Sequence, residues 1–234
     1  MNKLPLLISV PHAGLRVPQE VEDLCVLSED DIVKDGDEHA AAIYYPLKQN
    51  VAEFLTTDIA RAIVDLNRAE DDFRKDGVIK THTCWNVSVY REFPSAEMIK
   101  VLLAKYHRPY HDRLKSLAKT GVALGVDCHT MAEIAPPAAP DPGKERPAVN
   151  LGDANGSIPA EWRDSLMACF RQAFGRHSVT LNDPFSGGYI TRAHASELPW
   201  LQVELSRAFY MSNEEKTACV HEAMRNWCER YLYK

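Results

Sequence analysis

What this sequence of 234 residues lacks removes several classes of explanation. No apolar run approaches the roughly 20 residues that a bilayer-spanning helix needs. The first apolar stretch, Leu4 to Val10, is short and has no small-residue cleavage site behind it, so nothing reads as a signal peptide. Both absences argue against a membrane partner. The six cysteines lie far apart with no C-x-x-C pair, which excludes a disulfide framework and points to reduced thiols and a cytoplasmic address. Basic residues are outnumbered, 27 against 33 acidic, and a net charge of -6 disfavours nucleic acid as the main partner, leaving room only for a local basic patch. Three catalytic signatures are missing as well. Without H-E-x-x-H the chain is no zincin, and without G-x-x-x-x-G-K-[ST] it is no P-loop enzyme. The absence of a G-x-S-x-G elbow weakens a serine hydrolase. Internal repeats and low-complexity segments are also lacking.

What remains is an ordinary globular composition, 45% hydrophobic and 26% charged, of a length that suits one domain over residues 1–234. Short apolar stretches bounded by turn residues predict strands at Leu6–Val10, Ala62–Leu66, Val122–Asp127, Tyr189–Thr191 and Leu201–Leu205. Amphipathic spacing predicts helices at Glu38–Phe54, Ala96–Lys119, Pro159–Phe174 and Asn213–Tyr231. Ser95 can cap the second, Gly175 can close the third, and Ser212 with Glu215 forms a capping box for the fourth. A proline-rich stretch at 135–156 reads as a surface loop across one face. Strands alternating with helices imply an α/β layer architecture with a mainly parallel sheet, whose ligands bind beyond the carboxyl ends of the strands.

The strand ends are therefore where chemistry is expected. His12 follows the first strand, Asn67 and Arg68 follow "AIVDL", and His129 follows "VALGVD" with Asp127 just ahead of it. Glu204 sits inside "LQVELSR", Tyr189 and Arg192 lie beside a glycine pair, and Asp35, Asp37, Glu38 and His39 precede the first expected helix. Two histidines and a carboxylate form a catalytic zinc set with an open fourth position, and a separate glutamate can serve as base. The plain alternative for Glu204 is a pair with Arg207 or Arg192. His107 and His111, four apart with Pro109 between them, read as a partly exposed helix face rather than a metal grip. Cys128 adjoins His129, but neighbours on a strand point to opposite faces, so it reads as a buried thiol.

The motifs "SVPHAG", "ARAIVDLNR", "YHRPYH", "DCHT", "NLGD" and "DPFSGGYIT…LQVELSR", in that order over about residues 6 to 211, resemble the N-formylglutamate amidohydrolase (deformylase) family. The resemblance implies a fold similar to zinc carboxypeptidases and aspartoacylases: three αβα layers around a mixed, largely parallel sheet. It also implies one zinc at the strand ends, with His12, Asp37 and His129 as ligands; Glu38 and His39 stand beside Asp37 as alternatives. Glu204 matches the general base and Arg61 the arginine that polarises the scissile carbonyl. Asn67 and Arg68 match the pair that holds a substrate carboxylate, and Tyr189 would close over the ligand. The activity implied is hydrolysis of the linear amide of a small anionic N-acyl amino acid, foremost N-formyl-L-glutamate. The alternatives are a related metallo-amidase acting on peptidoglycan or polyglutamate, and a non-catalytic relative that binds an acylated amino acid.

Overall fold

Residues 3–119 and 121–232 are described by a computed structural model of the chain, and the structural statements below concern them. The opening apolar stretch becomes β1 (Leu4–Val10), buried along almost its whole length. Both of its edges are paired, with β2 (Val51–Thr56) parallel on one side and β3 (Leu124–Met131) parallel on the other. A strand covered on both faces needs no polar alternation, which accounts for the continuous apolar run. β6 (Trp200–Ser206) continues the sheet parallel to β3. Next come β4 (Val149–Gly152), antiparallel to β6, and β5 (Val179–Leu181), parallel to β4. The order is β2-β1-β3-β6-β4-β5.

Side chains alternate across these strands and sort into two cores, one on each face of the sheet. Leu6, Ile8 and Val10 join Val126, Cys128, Val203 and Leu205 under α2 (Ala40–Tyr44), α5 (Ala160–Phe174) and α7 (Asn213–Tyr231). Leu7 and Trp200 face the other way, beneath α3 (Ala96–Leu102), α4 (Arg108–Leu117) and the segment 59–66. The result is three layers, helices on both faces of a mixed and mostly parallel sheet. Gly125 makes one close approach possible: a Cβ there would lie 2.3 Å from the ring of Trp200, which is fully buried on the neighbouring strand.

Local signals mark most helix ends as expected. Ser212 and Glu215 form the capping box of α7, and Ser95 accepts from Met98 N at the start of α3. Gly175 closes α5 with φ 58°, a left-handed value that glycine tolerates. Pro109 removes a backbone donor, and the expected helix Ala96–Lys119 breaks into α3, a π turn over Leu103–His107, and α4.

Four expectations are corrected. The helix placed over Glu38–Phe54 ends at Tyr44; Pro46 sits in a 3₁₀ turn (Tyr45–Gln49), and Val51–Thr56 is a strand. Its apolar positions fit either period, and pairing with β1 decides. The strand expected at Ala62–Leu66 is a series of turns packed into the second core, and Tyr189–Thr191 opens the short helix α6 (Tyr189–Ala193). The proline-rich stretch is not loop throughout, since it ends in β4, buried at every residue. β5 and α1 (Glu29–Asp35) were not anticipated; α1 carries its own capping box, Ser28 with Asp31. None of the six cysteines is in a disulfide, and Cys128 is buried, its thiol pushed well up by that burial. Among the described residues, no helix is long and apolar enough to cross a membrane.

Candidate active site

The carboxyl ends of β1, β3 and β6 bring the chemistry to one edge. Register pairs Ser9 with Asp127 and Asp127 with Gln202, and one step further along places His129 beside Glu204. Paired residues on neighbouring strands share a face. The D-x-H of β3 and the Q-x-E of β6 therefore form two rows facing the same way. His12 lies just past the end of β1, and its carbonyl accepts from Asp37 N at 3.1 Å, tying the acidic turn to the strand end.

His12, Asp37 and His129 converge there, all buried, with one ligand-capable atom from each within 4.8 Å of the others. Each imidazole is held from behind. His12 Nε2 is 2.8 Å from Asp65 Oδ1, and His129 Nε2 is 2.9 Å from Asp127 Oδ2. These bonds leave both Nδ1 atoms turned toward Asp37, at 3.5 Å from Oδ1 for His12 and 2.8 Å from Oδ2 for His129. His12 Nδ1 is buried without any hydrogen-bond partner. An orphaned imidazole nitrogen aimed at a carboxylate, with its other nitrogen fixed by a second carboxylate, is the arrangement of a metal-binding histidine. Two nitrogens and one oxygen are also a donor set that suits zinc with a position left for water or substrate. The residues present fit a metal ion.

Charge is concentrated around this point. Burial pushes the Asp37 carboxyl up, but the two histidines outweigh it and hold the group well below the usual carboxylate range. Burial likewise disfavours a charged His129, yet Asp127 and Asp37 raise it well above an ordinary histidine. Glu204 behaves oppositely. Its carboxyl is pushed up to about 7, chiefly by burial, with His129, Arg61 and His12 only partly opposing. It accepts from Gln202 Nε2 at 2.8 Å. Neither arginine alternative is its partner: Arg207 donates to Thr130 Oγ1 and Gly36 O beside Asp37, and Arg192 donates to Gly187 O.

The remaining expected residues divide. Arg61 borders the site, anchored through Nε on Asp65 and one terminal nitrogen on Asp35 O, 3.8 Å from Asp37 Oδ1. Arg68 reaches Asp76, through Nε to its carbonyl and through a terminal nitrogen to its carboxylate at 3.3 Å. Asn67 is engaged at both ends of its amide, taking Ile190 N on Oδ1 at 2.8 Å and giving Nδ2 to Asp127 at 3.2 Å. Tyr189 is displaced from its expected place. Its ring packs on His111 and His107, and it is not among the residues lining the cavity described below. Glu38 and His39 stand outside the cluster, half-exposed and 3.7 Å from each other, because His39 adopts a left-handed φ of 69° and turns the chain away.

Three aspartates and a lysine were missed as parts of one network. Asp65 takes His12, Asn67 N at 2.9 Å and Arg61 Nε, and Lys80 Nζ, fully buried, bonds Asp35 at 2.9 Å and lies 3.7 Å from Asp65. Burial opposes the Asp65 charge, but His12, Arg68 and Arg61 hold its carboxyl well below the usual range. The one sequence signal for Asp65 was its position two residues before Asn67, and reading that stretch as strand concealed it. Asp127, noted only as a neighbour of His129, accepts from Ser9 Oγ as well as holding the ring.

A cavity of about 300 Å³ opens on this edge. Arg61, Arg68, Arg146 and Arg207 line it together with Glu204, and Pro136, Ala138, Ala139 and Pro140 from the proline-rich stretch supply an apolar border. Arg146 is buried, paired with Asp141 at 2.8 Å and lying over the Phe185 ring at 4.7 Å.

Residues 4–211 match the family model described as N-formylglutamate amidohydrolase. Two relatives are named N-formylglutamate deformylase. That of Pseudomonas putida is 33% identical over 232 aligned residues, covering 92% of this chain and 84% of its own. That of Pseudomonas aeruginosa is 32% identical over 231, covering 91% and 84%. Among solved structures, N-formylglutamate amidohydrolase from Ralstonia eutropha JMP134 superposes with a TM-score of 0.79 at 19% identity, over 100% of this chain and 95% of that one. A gene product of Agrobacterium tumefaciens also reaches 0.79, at 18% identity, over 97% and 91%. At those identities the structures speak for the fold alone, whereas the family model and the Pseudomonas sequences span most of the chain. The chain belongs to the N-formylglutamate amidohydrolase family and is a hydrolase of a non-peptide carbon–nitrogen amide bond.

Proposed function

We propose that the chain is a zinc-dependent amidohydrolase that cleaves N-formyl-L-glutamate into formate and glutamate. The observation that carries this reading is the pair of imidazoles, each tied back by a buried aspartate, with both Nδ1 atoms turned on Asp37 beside a glutamate whose carboxyl is raised to about 7. The names of the Pseudomonas relatives support the substrate.

His12, Asp37 and His129 would hold the ion, which when bound supplies a Lewis acid and makes water acidic near neutral pH. Glu204 takes the proton from the attacking water and passes it to the leaving amine nitrogen, the general acid–base role that a buried carboxylate beside the cluster can fill. Arg61 keeps its remaining N–H groups for the negative charge that develops on the formyl oxygen. Donors of this kind are worth about 3 kcal/mol each. Arg68 offers a planar fork to the substrate α-carboxylate, which would take the place of the Asp76 carboxylate now on it. Arg146, itself buried, provides a second guanidinium in the same cavity, which favours a substrate with a second carboxylate. Asn67 supports the site from within, since its amide is already spent on Asp127 and Ile190.

The deciding experiment scores free amine released from N-formyl-, N-acetyl- and N-succinyl-glutamate and from N-formyl-leucine, alongside zinc content. Release from N-formylglutamate that is lost on chelation and restored by zinc is expected. Full activity in a metal-free preparation would overturn the metal assignment. Thermal stabilisation by N-formylglutamate without amine release would identify a binding protein instead.

A further inference from the structure

Two histidines of the motif "YHRPYH" have no part in the candidate metal cluster, and their hydrogen bonds point in one direction. His107 Nε2 lies 2.9 Å from Arg68 O, and His111 Nε2 lies 3.0 Å from Leu66 O. A carbonyl can only accept, so both imidazoles donate from Nε2. The carbonyl between them, Asn67 O, faces Tyr189 N at 3.4 Å. Three consecutive carbonyls, those of Leu66, Asn67 and Arg68, are thus held from outside the segment. The segment carries Asn67, which bonds Asp127, and Arg68, which borders the cavity.

The donors are themselves fixed. With its Nε2 proton committed, His111 accepts on Nδ1, and His194 Nε2 stands there at 2.9 Å. His194 Nδ1 is in turn 3.0 Å from Glu197 Oε2. His107 Nδ1 is buried and has no partner, so a second proton on that ring would be an unsatisfied donor. Burial lowers the pKa of both rings, His111 to about 3, which keeps them neutral donors at physiological pH. Tyr189 covers the pair, ring centroids 5.2 Å from His111 and 6.2 Å from His107. The π turn ahead of Pro109 ends on His107 itself, where the helix departs from regular α spacing.

We infer that His107 and His111 are positioning residues that clamp the Leu66–Arg68 backbone, His107 setting the aim of the Arg68 guanidinium into the cavity. The inference rests on the reading of Arg68 as the anchor of a substrate carboxylate. A structural histidine would be replaceable by any side chain that fills its space. A clamp needs an N–H at the Nε2 position.

The test compares His107→Phe, His107→Gln and His107→Asn, and the double variant with Arg68→Ala, in the zinc-loaded enzyme on N-formylglutamate. Gln places an amide nitrogen where Nε2 was, and Asn, one bond shorter, does not. Loss of the donor is expected to raise KM roughly tenfold with kcat within about twofold, since a carboxylate anchor binds ground state and transition state alike. His107→Gln is expected at the wild-type KM, and His107→Asn at that of the Phe variant. If Phe does not fold, the Gln–Asn comparison decides alone. In the Arg68→Ala background the loss of the His107 donor is expected to add nothing. Equal KM for Gln and Asn, or multiplying effects in the double variant, would overturn the clamp. An unchanged KM in Arg68→Ala alone would instead overturn the carboxylate anchor, so the two failures are distinct.

Discussion

Asp65→Asn changes one oxygen to an NH₂ group and leaves the shape of the side chain intact. Asp65 Oδ1 serves His12 Nε2 at 2.8 Å and Asn67 N at 2.9 Å, while Oδ2 serves Arg61 Nε at 3.1 Å. An amide has one oxygen. If it stays with His12 and Asn67, its NH₂ faces the Arg61 Nε–H, donor against donor. If it turns to Arg61, its NH₂ meets the His12 Nε2–H and forces that ring toward the other tautomer, with the proton on Nδ1 where a metal lone pair is needed. Either way a charge-assisted bond worth about 1.5–3 kcal/mol is lost. By the 1.36 kcal/mol that separates each tenfold step, this is a loss of roughly 10- to 100-fold in metal affinity. Measured losses at carboxylates behind metal-bound histidines fall in the same range, about 10- to 100-fold. Competition with a chromophoric chelator at pH 7 measures the affinity, and the melting temperature of the metal-free protein separates the ligand effect from any cost to the fold. Asp65→Asn binding zinc as tightly as the unmodified protein would refute the idea that Asp65 sets the His12 tautomer.

Three other perturbations test neighbouring parts of the site. Glu204→Gln should retain zinc and lose turnover by about two to four orders of magnitude, the scale of general acid–base catalysis. In the metal-free protein the Glu204 carboxyl rises from 4.5 to about 7, so the unfolded chain sheds its proton first. Unmodified protein should therefore lose up to about 3 kcal/mol relative to Glu204→Gln as pH rises from 4.5 to 7, and denaturant titrations at several pH values read the difference. Lys80→Met removes the cation between Asp35 and Asp65 and strands buried carboxylate charge, an expected loss of about 3–5 kcal/mol in thermal or denaturant unfolding; adding Asp35→Asn should recover part of it. Arg146→Met should raise KM for N-formylglutamate by roughly 10- to 100-fold through a lost charge-assisted bond. On N-formyl-leucine it should change KM little, and equal effects on both would remove Arg146 from specificity.

Short-range physics was legible in the residues themselves. The capping box at Ser212, the break at Pro109 and the apolar runs of β1 and β6 depend on neighbours a few positions away, and each appears where local rules place it, whereas the strand expected at Val122–Asp127 is shifted to Leu124–Met131 and takes His129 into β3. Strand register is what brings Asp127 with His129, and Gln202 with Glu204, onto one face. What the residues alone left open was each choice made across long stretches of chain. Asp37, Glu38 and His39 are equivalent as spelled; the bond from Asp37 N to His12 O and the left-handed turn at His39 select Asp37. Val51–Thr56 fits helix or strand until the free edge of β1 claims it. Asp65 looks like one polar residue in an apolar stretch, and only burial against His12, Arg61 and Lys80 makes it the pivot of the charge network. Tyr189 was drawn to the ligand by its glycines, yet α6 lays its ring on the histidine pair. Local sequence dictates which way a side chain leaves its own strand or turn. Which groups then meet across the 53 positions from His12 to Asp65, or the 92 from Asp37 to His129, is decided by sheet order and register.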